Sequence, residues 1–197
     1  MGTIFYRSIY PLSSLPGHPP VWCNQVLHIP KNSIIDPSFH GRARSYFLQS
    51  TLAAVALAAI LLVETGVSSA AINASIASSV FLVFVVPHSV AASTRRVVGG
   101  HVVGVIVGVT AFGVVSLFVE HPTHLSGQTF AIAGATSVGV AILLMALTDT
   151  EHPPSAGTAL SLVAIGANFD AIWFILSAAV ILAGVRIALS RWMVNLL

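Results

Sequence analysis

Beyond residue 45 the chain alternates between long apolar runs and short polar interruptions. The apolar runs cover about 46–63, 70–86, 97–119, 130–147 and 158–189. A helix needs about 20 apolar residues to cross the hydrocarbon of a bilayer. The first four runs therefore predict spans, the first two at the short end. Helices also satisfy their own backbone hydrogen bonds in lipid, and the period-two alternation of a membrane barrel is missing. The fifth run is too long for one simple span and contains Asp170. It reads either as a half-helix over 158–167, a break at Asn168-Phe169-Asp170 and a final span over 171–189, or as one long tilted helix that tolerates an acid. The expected fold is all-α: a polytopic transmembrane helix bundle of four to five spans, with a re-entrant or half-helix after a His-Pro-Pro motif at 152–154.

Residues 1–44 read as an extramembrane N-terminal tail, partly disordered, and 45–197 as the transmembrane domain. Pro11, Pro16, Pro19, Pro20, Pro30 and Pro37 forbid long helices in the tail, which also lacks the apolar core of a signal peptide. A second His-Pro-Pro at His18-Pro19-Pro20 has no apolar flanks and is taken as coincidence.

Composition sharpens the class. The chain is 56% hydrophobic and 7% charged, where a soluble domain carries roughly 25% charged residues. An integral membrane protein is expected, with the lipid bilayer as its first partner. The net charge of +2 comes from scattered basic residues, without the aromatic-interleaved basic stripe that nucleic-acid binding needs. Cys23 is the single cysteine, which excludes an intrachain disulfide and a cysteine-based zinc cage.

Charge also predicts orientation, because Lys and Arg gather on the cytoplasmic side. Lys31, Arg42 and Arg44 precede the first span, and Arg95 and Arg96 follow the second. The N-terminus is expected in the cytoplasm, as is the 149–157 loop, most simply at a cell (inner) membrane. Arg186 and Arg191 then pull the C-terminus inward as well, against five simple crossings. Either a re-entrant piece restores the parity, or the C-terminus lies outside despite its arginines.

Small residues form two candidate seams. Gly100, Gly104 and Gly108 share one helix face, and such spacing lets two backbones approach closely. The partner could be a helix of the same chain or a second copy in a homo-oligomer. Ala131, Ala135 and Gly139 give the fourth segment a similar face, and these two segments could pack together.

Polar chemistry concentrates in Thr148-Asp149-Thr150-Glu151-His152-Pro153-Pro154-Ser155-Ala156-Gly157-Thr158. A partial echo occurs at His88-Ser89-Val90-Ala91-Ala92-Ser93-Thr94. Both runs begin with His and end with Thr at the same spacing, and both follow an apolar segment. An internal duplication would bring them together about a pseudo-axis; chance similarity is the alternative.

These residues carry a resemblance. His152-Pro153-Pro154 with Ser155 to Leu160, after Met145-Ala146-Leu147-Thr148, resembles the signature of the HPP family of integral membrane proteins. Pro87-His88 leading to Arg95-Arg96-Val97-Val98-Gly99-Gly100-His101 resembles that family's segment before Gly-Gly-His. The chain departs at Thr94, where the family has Pro, at Arg96, where it has Asn, and at 155–157, where Ser-Ala-Gly replaces Ala-Gly-Ala. The resemblance implies a bundle of four membrane helices and a suggested transport role, with some plant and cyanobacterial members linked to nitrite.

A small anion in a membrane needs fixed donors in place of water. A half-helix beginning at Thr158 could offer the N–H groups and partial positive charge of its N-terminus, with Ser155 or Thr158 as cap and Gly157 permitting close backbone approach. Pro153 and Pro154 stop or kink what precedes them. His152 could act as donor, proton carrier or ligand near neutral pH, or simply fix a tight turn. Asp149 and Glu151 would repel an anion but could hold His152 protonated, so proton coupling enters as an option. His101, after Gly99-Gly100, reads as a pathway residue or an interior hydrogen-bonding group. Arg95 and Arg96 could attract anions or anchor the helix end. Glu120 and His121-Pro122-Thr123-His124 invite a metal reading, but no third or fourth ligand is near, and a solvated loop is the better expectation. No resident metal or cofactor is expected. Nucleotide loops, Gly-x-Ser-x-Gly elbows and His-Glu-x-x-His are missing, so no enzymatic activity is expected. The expected substrate site combines His152, Pro153, Pro154, Ser155, Gly157, Thr158, His88, His101, Arg95, Gly99 and Gly100. The functional expectation is a secondary transporter or channel for a small inorganic anion, nitrite first. The alternative is a non-transporting interaction or sensor module.

Overall fold

With few charges to face water and no strand pattern, the chain satisfies its backbone within helices. In the computed structural model, residues 39–63, 69–119 and 127–196 are described. They contain α1 (Phe39–Val63), α2 (Ala70–Val85), a short 3-10 turn (Val90–Ala92), α3 (Thr94–Ser116), α4 (Gly127–Thr148), α5 (Pro153–Ile165) and α6 (Phe169–Leu189). α1, α3, α4 and α6 are long and apolar enough to cross a membrane. At 1.5 Å per residue, α2 with 16 residues and α5 with 13 reach only about 24 and 20 Å, so the second apolar run, expected as a span, is not among the four span-length helices. Residues 42–197 form one compact unit. Glu64, Glu120, His121, His124 and the tail up to residue 38 lie outside the described residues, and so does the metal reading.

α3 and α5 are the centre. α3 packs on α4, α5 and α6, while α5 packs on α2, α3 and α4. One core layer joins Ile72, Ile76, Val83 and Phe84 of α2 to Ile175, Ala179 and Leu182 of α6. Phe47, Ile132, Leu143, Trp173 and Ile187 point outward, the apolar exterior that lipid accepts and water does not.

The fifth apolar run is broken, as the half-helix reading expects, and the single tilted helix is excluded. Gly166, at φ 87°, ends α5, and Asn168 caps α6 by accepting the Ala171 N–H at 2.7 Å. The half-helix begins earlier than expected, however. Pro153 and Pro154 occupy its first turn, where a proline's missing N–H costs nothing and its fixed φ suits the helix. Ser155, Ala156 and Gly157 are therefore helical rather than a loop. α4 stops just before, at Asp149, whose φ of 55° is the left-handed turn usually given to glycine. The Thr150 N–H reaches back to the Met145 carbonyl at 2.9 Å and closes that turn.

The parity conflict resolves through α5. The Tyr46 hydroxyl donates to the Leu196 carbonyl, and the Leu196 N–H donates to Val85. Gln49 holds Phe84 and Val194, and Arg186 donates to the Pro87 carbonyl. The start of α1, the end of α2 and the end of α6 thus meet at one end of the bundle. α3 starts there and α4 returns there. α5 then leaves that end and α6 comes back to it. Arg42, Arg44, Arg95, Arg96, Arg186 and Arg191, the Lys and Arg residues among the described ones, share that end.

Candidate functional site

The residues between α4 and α5 lie on α3, and glycines make room for them. A Cβ on Gly99 would stand 2.7 Å from Thr150 Cγ2. One on Gly100 would stand 2.7 Å from His152 Cβ and 2.8 Å from Ser155 Oγ. Further along, Gly104 meets the Ser155 carbonyl, and Gly108 meets Leu162 Cβ at 2.8 Å. The expected glycine seam is real, but its partner is α5 of the same chain. A second copy cannot use Gly100, Gly104 and Gly108, which are buried. On α4 the packed stripe is Gly134, Ser137, Ala141 and Met145. The expected face of Ala131, Ala135 and Gly139 points outward instead, because helical phase puts it on the far side.

This close approach builds a sealed polar cluster. His101 of α3 and His152 at the cap of α5 are fully buried, with ring centroids 5.3 Å apart. Ser79 Oγ of α2 lies between them, 2.9 Å from each Nε2. His152 Nδ1 is 2.8 Å from the Ala91 carbonyl in the 3-10 turn and donates to it. His101 Nδ1 is 2.9 Å from Thr158 Oγ1, which is 2.9 Å from Ser75 Oγ. Ser75 donates to the Pro154 carbonyl at 2.7 Å. Such groups persist away from water only when hydrogen-bonded to one another. Burial pushes the His152 imidazole, in the connection outside the spans, below the ordinary histidine range; its bond to Ala91 works against that. Beside the cluster, the Ser155 hydroxyl is buried without a partner.

At the lip, charges cancel. Asp149 pairs with Arg95 at 3.3 Å and with Arg96, and Arg96 also holds Glu151 at 2.8 Å. The acids therefore face arginines, not His152, and those arginines are already committed to acids. Arg95 additionally donates to the Thr148 carbonyl.

Several expected site residues converge. His101, His152, Pro154 through its carbonyl, and Thr158 form the cluster, while Gly99 and Gly100 admit it and Ser155 borders it. Pro153 shapes the helix start. Gly157 lies in ordinary contact with Ser75, at 3.6 Å. Arg95 stays in the lip. His88 is elsewhere: it is exposed, with Nε2 3.0 Å from the Met193 carbonyl and its N–H on Asn195 Oδ1. The two His runs do touch, through Ala91 and His152, but their local folds differ. Thr94 opens α3, whereas Thr158 lies inside α5. The row of free N–H groups expected at the half-helix is also absent. Pro153 and Pro154 have none, and the Ser155 N–H donates to His152. Ser75 and Ser79 are the residues a reading of motifs passes over; two serines four apart, hence on one face of the helix, were the available signal.

A family model for the HPP transmembrane region matches residues 39–197. The chain belongs to the HPP transmembrane family. The His-Pro-Pro and Gly-Gly-His residues meet at the α3–α5 seam, and Arg96 pairs with both of the acids that precede His152. A transmembrane protein of Dictyostelium discoideum is similar to this HPP chain, 33% identical over 86 residues. That stretch is 44% of this chain and 27% of the relative, so the likeness spans about a quarter of the other protein's length. No solved structure matches. The HPP chain is an integral multi-pass membrane protein, and its described residues form a helical bundle in which four helices are long and apolar enough to span.

Two grooves open on the bundle surface. One, about 890 Å³, lies between α2 and α5 and is lined by Ser75, Ser78, Phe81, Pro154, Gly157 and Ser161 among others. The other, about 720 Å³, is apolar and lies between α3 and α4. His101 and His152 line neither.

Proposed function

We propose that this protein is a secondary transporter or channel for a small inorganic anion, with nitrite the first to test, and that it moves its solute without transforming it. The observation that carries the reading is the sealed His101–Ser79–His152 cluster beside the short α5 helix. An ionisable group within a span, as His101 is in α3, is costly and faces a pathway or partner, and broken helices beside a central site are a transporter device. The donor free for an anion is the unpartnered Ser155 hydroxyl, rather than the start of α5, while the imidazole nitrogens would have to exchange a present partner for it. Arginine placement favours the shared end as the cytoplasmic one. Both described termini then face inward, in keeping with a cell-membrane protein, and anions approaching that end meet a basic surface.

Purified protein in liposomes should pass nitrite down a gradient. His152→Ala should slow it about tenfold or more, which is roughly 1.4 kcal/mol on the barrier. No wild-type flux of nitrite, nitrate, chloride or protons sinks the reading. The alternative is a non-transporting interaction or sensor module. It draws support from the complete burial of both imidazoles and predicts an oligomer or partner complex without flux.

A further inference from the structure

The buried cluster is a single chain of hydrogen bonds with a carbonyl acceptor at each end. Its six links run from Ala91 O to His152 Nδ1, His152 Nε2 to Ser79, Ser79 to His101 Nε2, His101 Nδ1 to Thr158, Thr158 to Ser75, and Ser75 to Pro154 O. Each link needs one hydrogen. A neutral imidazole supplies one and a hydroxyl one. His152, Ser79, His101, Thr158 and Ser75 therefore supply five between them when both rings are neutral. One link is then left as two facing lone pairs. The Ser79 hydroxyl could turn instead to its own i−4 carbonyl, Ser75 O, at 3.2 Å, but that raises the demand for hydrogen elsewhere in the chain.

We propose that this cluster is a binding site for one proton, held jointly by His101 and His152 through Ser79. With the extra proton all six links are satisfied in either of two arrangements. With the charge on His152, Nδ1–H donates to Ala91 and Nε2–H to Ser79. Ser79 then donates to His101 Nε2, His101 Nδ1–H to Thr158, Thr158 to Ser75, and Ser75 to Pro154. With the charge on His101, only the two links at Ser79 reverse. The exchange is balanced: the His152 Nε2–H bond breaks as that proton passes to Ser79 Oγ, and the Ser79 proton passes to His101 Nε2. The charge moves from one ring to the other and the count stays at one. The incoming proton comes from the aqueous phase.

Surrounding charges do not supply a substitute. α2 offers only Ser75 and Ser79 to the cluster, the 3-10 turn only a carbonyl, and α5 only hydroxyls and the Pro154 carbonyl. α4 has no acidic or basic residue. Asp149 and Glu151 of the connection are held by Arg95 and Arg96 of α3. On α6, Asp170 and Arg186 lie in the first and last turns. On α1, His40, Arg42 and Arg44 lie at its start. Burial opposes the charge. A second proton would put two cations one hydroxyl apart, which excludes double loading. The inference rests on hydrogen-bond geometry and stands whether or not an anion is carried.

The test is an acid titration of the full chain in lipid nanodiscs, read by nitrogen NMR of labelled histidine and assigned with His101→Gln and His152→Gln. In the wild type both rings should shift together in one step and reach, between them, the signal of one imidazolium. Two rings that stay neutral until the protein unfolds would overturn the proposal, as would two rings that each take a full proton. Ser79→Ala should uncouple them, so that one ring titrates alone. Joint titration that survives this change also overturns it. If Ser79→Ala does not fold, Ser79→Thr, which keeps the hydroxyl, should retain the joint step, and the wild-type proton count decides by itself.

Discussion

Replacing Gly100 with alanine puts one methyl group where the structure has no space for it. The new Cβ would stand 2.7 Å from His152 Cβ and 3.0 Å from the Thr150 carbonyl. Carbon atoms rest at about 3.5 Å or more, so α3 and the start of α5 must separate by roughly 0.8 Å. The bond from His101 to Thr158 crosses that same seam at 2.9 Å. Stretched by that amount it reaches about 3.7 Å and is no longer a hydrogen bond. Overpacking costs about 1–3 kcal/mol, and an unmade buried hydrogen bond about 1–3 more. Better helix propensity returns about 0.5–1. A net loss of roughly 1–5 kcal/mol is expected.

The assay is denaturant or thermal unfolding in detergent or nanodiscs, followed by circular dichroism. Gly113→Ala on the same helix is the control, since its new Cβ meets nothing within 4 Å; it should be neutral or gain up to about 1 kcal/mol. Gly108→Ala should lose stability through Leu162 and the Ala159 carbonyl, 2.8 and 3.0 Å away, while leaving the histidine signals in place. If Gly100→Ala unfolds with Gly113→Ala, the seam is not close-packed and the reasoning fails.

Two further outcomes follow from the geometry. Burial holds the folded-state pKa of His152 below its ordinary value of 6.5, so the unfolded chain binds more protons just below that pH. Stability should be full above it and fall on acidification, by at most about 1.4 kcal/mol per pH unit for one group, levelling once the folded form is also protonated; His152→Gln should flatten the thermal-midpoint curve. His88→Ala removes the bond to Met193 and should cost about 1 kcal/mol or less. Faster amide exchange at 193–196 would report it, with nitrite flux in liposomes at the wild-type rate.

The outline was legible because it rests on period and composition. Apolar run length gave three of the four long helices, α1, α3 and α4, and the excess length of the fifth run, with Asp170 inside it, marked the break before α6. Gly100, Gly104 and Gly108 announced a seam by spacing alone. Four things were not legible, each for a physical reason. Which helix fills a seam depends on tertiary phase, so α5 and a second copy looked alike. Pro153 and Pro154 read as a stop, yet proline is welcome in a first helical turn, and the helix starts there. The acids around His152 looked like its partners because they are its neighbours in sequence. The turn at Asp149 instead leaves that carboxylate facing Arg95 and Arg96. Ser79 escaped notice because the spacing of Ser75 and Ser79 marks a shared helix face but not what that face meets; only the fold places Ser79 between two imidazoles.

Closure of the cluster is uneven, and the unevenness says where access would have to come from. On the α3 side, Gly100, Gly104 and Gly108 bring backbone against backbone, and any opening there breaks contacts along three helical turns. At the shared end, Arg96 ties α3 to both acids, although these pairs are partly exposed and such pairs contribute little. The α2 side is different. Gly157 meets Ser75 at an ordinary 3.6 Å, and a groove already runs between α2 and α5 as far as Ser75 and Pro154. What closes that side is the pair of bonds from Ser75 to Pro154 and Thr158. Those bonds belong to the same hydrogen-bond chain whose hydrogen count changes with one proton. In the neutral cluster the deficient link can sit between Ser75 and Thr158; in the loaded cluster it cannot, because Thr158 must donate to Ser75. Proton loading therefore strengthens the one latch that stands between the groove and the imidazoles, and proton release weakens it.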